Sequence, residues 1–211
     1  MLPTKFAAVL LAALPAIAQM PLPELRTEPT AGGSVFTIRN NSPVALTAYL
    51  IELVDYPGSS YSLWQDETVA EPIPPKGEKR IQVANMTVGA VPDYVKMQAA
   101  LYAGGATAGI PDKIERLLDR RRAMLETIRQ LIARIEKAQA EGTTKSALIA
   151  DFKQWADTLQ PAGKGNRNSL AAINQAAARG VVLGTAAKLD ALTFAESLAV
   201  LRGWERALEA K

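Results

Sequence analysis

Hydropathy changes period once along this chain, at Gly104-Gly105 and Pro111. Before that point short apolar runs alternate at every second position, the period of strands; after it apolar residues recur three and four apart, the period of helices. The chain therefore reads as α+β in two parts: an antiparallel β-sandwich over residues 34–108, and a helical hairpin or bundle with one long amphipathic helix over 111–211.

The strand half opens, over 19–33, with an extended lead-in carrying Pro21, Pro23 and Pro29. Ser34 to Arg39 and Val44 to Val54 read as strands, and the turn cluster Asn40-Asn41-Ser42-Pro43 between them reads as a hairpin. In the second run Leu46, Ala48 and Leu50 share one face and Tyr49, Ile51 and Leu53 the other. Asp55 to Pro75 reads as a long irregular crossing between sheets. Lys79 to Val83 and Val95 to Ala103 are further strands, the latter with Val95, Met97, Ala99 and Leu101 on one face.

From Asp112 to Glu141 the positions Ile114, Leu118, Leu125, Ile128, Ile132 and Ile135 keep a four-three spacing, so a single long helix is expected. Asp112 with Glu115 is its expected N-terminal capping pair and Gly142 its stop. Lys145 to Gln160 is a second helix folding back on the first, ended by Pro161. A third starts at Asn168 or Ser169 and is weakened or interrupted at Gly180 and Gly184. A fourth starts at Thr193, whose spacing to Glu196 is that of a capping box.

The chain has no His and no Cys. Ser-His-Asp and Cys-His catalysis are excluded with them, as are the usual zinc, iron-sulfur and haem ligands; no cofactor and no metal is expected. Residues 1–18 have the layout of a secretory signal peptide: Lys5, the apolar run Phe6 to Leu14, and Ala16-Ile17-Ala18 before Gln19. The expected mature protein is secreted or periplasmic and soluble, with no membrane span once the signal is removed, and its core must hold without disulfides.

Charge divides with the fold. Residues 19–110 hold six Lys and Arg against nine Asp and Glu, and 111–211 hold seventeen against twelve. Opposite halves favour docking on each other over the alternative, a second half left free to meet an anionic surface. Positives interleave with acids, as in Asp119 beside Arg120 or Glu136 beside Lys137, which is the pattern of a solvated helix face; nucleic acid is not an expected partner.

Arg121 falls inside the apolar stripe of the long helix. It either pairs with a carboxylate such as Asp151, Asp157 or one from the strand half, or binds an anion with help from Arg120 and Arg122. The loop from Ala162 to Ser169 offers a second anion candidate through Lys164, Asn166 and Arg167 at a helix start, without P-loop spacing. Tyr61 and Trp64, near Asp55, Asp66, Glu67 and Glu71, are candidates for contacting a glycan. No catalytic residue is assigned, although a carboxylate pair is the device left to a chain without His or Cys.

The stretch Phe36-Thr37-Ile38-Arg39-Asn40-Asn41-Ser42, continuing to Leu46-Thr47-Ala48-Tyr49, resembles the opening of small immunoglobulin-like domains in exported bacterial proteins. Leu101-Tyr102-Ala103-Gly104-Gly105-Ala106-Thr107-Ala108-Gly109, followed by a helix with Arg120-Arg121-Arg122, resembles the close of the same uncharacterised group. That close more often reads D-G-S-x-x-G-D, and here Gly104 and Ile110 replace its acids. The resemblance implies an immunoglobulin-like sandwich followed by helices and brings no activity. The expected function is a non-enzymatic binding or interaction protein of the cell envelope, its partner a protein or envelope component, with self-association through helix 112–141. The alternative is a carboxylate-dependent hydrolase of a glycan or envelope polymer.

Overall fold

The computed structural model describes residues 20–55, 62–66, 71–84, 92–159 and 169–209. Among the described residues seven strands, β1 (Glu24–Thr30), β2 (Gly33–Arg39), β3 (Leu46–Leu53), β4 (Ser62–Asp66), β5 (Glu78–Ala84), β6 (Val95–Tyr102) and β7 (Thr107–Gly109), precede four α-helices. The helices are α1 (Pro111–Ala140), α2 (Lys145–Thr158), α3 (Leu170–Leu189) and α4 (Phe194–Glu209). The strands form two antiparallel sheets, ordered β1-β2-β5 and β4-β3-β6-β7.

In strand pairing the structure differs from the sequence reading at three places. The lead-in contains β1, an edge strand where Pro29 needs no ladder partner on its open side. The irregular stretch before Pro75 contains β4, paired with β3. And β2 and β3 do not form a hairpin: β2 pairs with β1 and β5, whereas β3 pairs with β4 and β6, so Asn40 to Ser42 is a crossing between sheets. A buried polar knot holds that corner. The Asn40 amide donates to the carbonyls of Val44 (2.8 Å) and Ile73 (2.9 Å), and its oxygen accepts from the Ser42 amide and hydroxyl. Asn40 and Ser42 are fully buried, and these bonds satisfy the groups that burial desolvates.

Phe36, Ile38 and Val83 from one sheet and Leu46, Tyr49, Ile51, Ala100 and Tyr102 from the other share one core. The opposite face of the four-stranded sheet carries Ala48, Leu50, Ala99 and Leu101, which pack on Leu117 of α1 together with Trp64, Ile114 and Leu118. Two register shifts make this two-faced sheet. Between Leu46 and Ala48 the ladder with β6 skips Thr47, so Leu46 faces the inter-sheet core while Ala48 faces the helix. A second shift skips Gln98, which breaks the expected alternation of β6: Val95 and Met97 join the inter-sheet core, Ala99 and Leu101 the helix side.

The skipped Gln98 also anchors α1. Its carbonyl accepts the amide of Ile110, the residue before the helix (3.0 Å). Gly109, at φ 109°, passes so close that a Cβ there would stand 2.2 Å from that oxygen. Pro111 occupies the first helical position and no side chain caps this end; Asp112 instead pairs with Arg116 (2.9 Å), one turn on. Gly142, at φ 67°, ends the helix as its sequence indicates.

At 30 residues α1 is about 45 Å long, and it serves two cores in succession. Beyond the sheet its Met124, Ile128, Leu131 and Ile135 pack with Leu148 and Phe152 of α2, Val182 and Ala186 of α3 and Leu198 and Leu201 of α4. The expected hairpin of α1 and α2 is not the arrangement found: the close neighbours of α1 in this region are α3 and α4, while α2 lies closest to α3. Small residues on α3, Ala172, Ala178 and Ala186, let helices approach, whereas Arg134 of α1 reaches α2 through Asp151 (2.7 Å) and the Trp155 ring (4.5 Å). α3 runs unbroken through Gly180 and Gly184. The Thr193–Glu196 capping box forms in both directions, amide of Thr193 to Glu196 and amide of Glu196 to Thr193.

Candidate functional site

Where α1 crosses the four-stranded sheet, polar groups sit inside an otherwise apolar contact. Trp64 and Asp66, two apart on β4, point to the helix side, opposite Leu50 and Ala48 respectively. Lys113 and Arg121, two turns apart on α1, each meet a sheet carboxylate: Lys113 with Glu52 (2.6 Å) and Arg121 with Asp66. Arg121 donates from Nε to one Asp66 oxygen (3.0 Å) and from an Nη to the other (3.3 Å). The same Nη donates to the Thr47 hydroxyl (3.0 Å), which donates to the Leu101 carbonyl (3.1 Å). The bulge is what turns Thr47 toward the helix, so backbone irregularity supplies the third leg of this site.

Arg121 is thus paired with a carboxylate from the strand half, and both Asp66 oxygens are engaged. Arg120, beside it, is treated differently. Its Nε is buried without a hydrogen-bond partner, as is the indole Nε1 of Trp64. Burial lowers the Arg120 pKa from its ordinary value, and the field of Asp66 opposes that shift only in part.

On the β6–β7 side of α1 an open cavity of about 620 Å³ lies between sheet and helices, lined among others by Leu101, Ala106, Thr107, Leu118, Leu125 and Leu208. Arg121 and Arg122 stand at its edge, Arg122 also pairing with Asp119 (2.8 Å). Tyr102 borders the cavity and donates its hydroxyl to the Pro21 carbonyl (2.6 Å); burial pushes its phenol up to about 12.

Of the residues singled out by sequence, Arg121 and Trp64 lie at this junction. Tyr61, Lys164, Asn166 and Arg167 fall outside the described residues, as do Glu67 and the export signal. Asp55 and Glu71 are exposed. Glu52 and Asp66 share the helix-facing side, but β3–β4 pairing sets them four strand positions apart, about 13 Å, beyond the spacing of a glycosidase acid pair, and each is bound to its own cation. No group of three or more metal-ligating side chains occurs among the described residues, and no described helix is long and apolar enough to cross a membrane.

Thr47 and the Lys113–Glu52 pair are not singled out by the sequence, and Arg120 enters it only beside Arg122 as an aid to Arg121 in binding an anion. Arg120 lies three residues after Leu117, on the edge of the apolar stripe, and that spacing is the signal for it. Compared with family models, with curated proteins and with solved structures, the chain gives no match in any of the three.

Proposed function

We propose that this chain is an exported, non-enzymatic binding protein of the cell envelope, and that its ligand or partner engages the cavity between the four-stranded sheet and α1. The supporting observation is the cavity itself. Its volume of about 620 Å³ lies in the range of small-ligand sites, and its apolar walls carry a few polar groups at the edge. The same reading takes the strand half as an immunoglobulin-like sandwich and the helical half as a bundle. The orders β1-β2-β5 and β4-β3-β6-β7, with the crossing at Asn40, support that topology. Self-association through residues 112–141 would use the polar face of α1, because Leu117, Met124, Ile128, Leu131 and Ile135 are buried within the chain.

The test is saturable binding of an apolar fluorescent probe, anilinonaphthalene sulfonate, to the folded protein and to Ala106→Trp, which fills the cavity. One site on the wild type that weakens about tenfold or more in the variant, at unchanged circular dichroism, supports the reading. Equal binding by both proteins, or none by either, overturns it.

A further inference from the structure

Each charged group that lines the cavity between the four-stranded sheet and α1 is already engaged within the chain. Arg121 gives its Nε and an Nη to Asp66 and to Thr47. Arg122 faces two acids one and two turns back along its own helix, Asp119 at 2.8 Å and Glu115 at 3.8 Å. Glu209 is held by Arg129 of α1, which Glu205 also meets at 3.2 Å. The Tyr102 hydroxyl donates to the Pro21 carbonyl, and Thr107 is neutral.

A ligand charge that enters this cavity leaves water and needs a partner of opposite sign. An anion would have to displace Asp66, whose side chain is too buried to turn to solvent, or the acids at Arg122. A cation would have to displace Arg129 from Glu209. Either exchange swaps one ion pair for another. The walls, by contrast, suit apolar surface. Leu118 and Leu125 stand two turns apart, about 10 Å, along one side of α1. Leu118 packs with the cluster on the sheet and Leu125 with the cluster of the helices, so the cavity lies where one apolar core gives way to the next. On the binding role proposed above for this cavity, we infer that its ligand is an uncharged, largely apolar small molecule that continues the apolar contact from the sheet to the helical half.

The test uses a matched pair of fluorescent probes: N-phenyl-1-naphthylamine is neutral, and anilinonaphthalene sulfonate adds a sulfonate to the same ring skeleton. Both are titrated at low and at high sodium chloride into wild type, Ala106→Trp, and a variant combining Glu115→Gln with Asp119→Asn. The expected result is one saturable site for the neutral probe, weakened about tenfold or more in Ala106→Trp and unweakened by salt. The neutral probe should bind wild type about tenfold or more tighter than the sulfonate. Removing the two acids should free Arg122, so that the sulfonate tightens about threefold or more at low salt while the neutral probe is unchanged. A sulfonate bound to wild type as tightly as the neutral probe, or one whose affinity for wild type falls with salt, overturns the uncharged class and leaves the cavity as a binding site; the salt arm senses a cation wherever it stands. No saturable site for either probe, or equal neutral-probe binding by wild type and Ala106→Trp, overturns both. Should Ala106→Trp fail to fold, Thr107→Trp, at the next position of the lining, takes its place.

Discussion

Arg121 and Asp66, 55 residues apart in sequence, meet through two guanidinium–carboxylate contacts of 3.0 and 3.3 Å, with the aspartate side chain 3% and the arginine 14% exposed. Breaking one side of so buried a pair strands a charge. Arg121→Met should therefore destabilise the protein by about 3 kcal/mol, while Arg121→Met combined with Asp66→Leu should recover most of the loss. Urea denaturation of wild type and both variants measures this. A double variant no better than the single one would show that the pair is held by more than charge compensation.

The corner at Asn40 concentrates several hydrogen bonds in one side chain. Asn40→Ala removes donors to Val44 and Ile73 and the acceptor of the Ser42 hydroxyl, leaving buried partners unpaired. A loss of about 2–4 kcal/mol is expected, larger than that of Asn41→Ala at the exposed neighbouring position. Thermal unfolding of the two variants side by side tests the difference.

Gly180 and Gly184 lie within α3 with open space where a Cβ would stand. Each replacement by alanine should stabilise the fold by about 0.5–1 kcal/mol, since glycine loses the most backbone freedom in a helix. Additive gains in denaturation midpoint are expected; a loss at either position would mean that the glycine has a contact to make.

The Tyr102 phenol is raised to about 12 by burial, above its ordinary value of about 10. A folded-state pKa above the unfolded one means stability that is complete below pH 10 and is lost as pH rises through 12. Tyr102→Phe should cost about 1 kcal/mol at pH 8, through the lost bond to Pro21, yet decline less steeply between pH 10 and 12. Melting temperatures across that interval give both slopes, and parallel slopes would reject the assignment.

What was legible in the sequence was local. The four-three spacing of Ile128, Ile132 and Ile135 marks α1 because burial follows the helical period, and Thr193 with Glu196 marks the start of α4 because a capping box closes within four residues. The turn chemistry at Asn40 suits a hairpin and a crossing equally; the partner that decides, the carbonyl of Ile73, lies 33 residues away. β1 is largely exposed and β7 has three residues, so neither carries a strong period. In Arg120-Arg121-Arg122 the stripe selects Arg121 as the misfit, but which arginine is paired depends on where Asp66 stands across the sheet, and no spacing within the helix records that.

The amide of Ile110 on the carbonyl of Gln98 has a consequence for rotation as well as attachment. Inserting one residue between Gly105 and Pro111, with the strands held, would turn α1 by about 100° and advance it by about 1.5 Å. Lys113, Leu117 and Arg121 would leave Glu52, Leu50 and Asp66 together. The close passage of Gly109 over a skipped strand residue thus acts as an index mark: it sets the angular phase in which a helix of 30 residues meets first the sheet and then its sister helices.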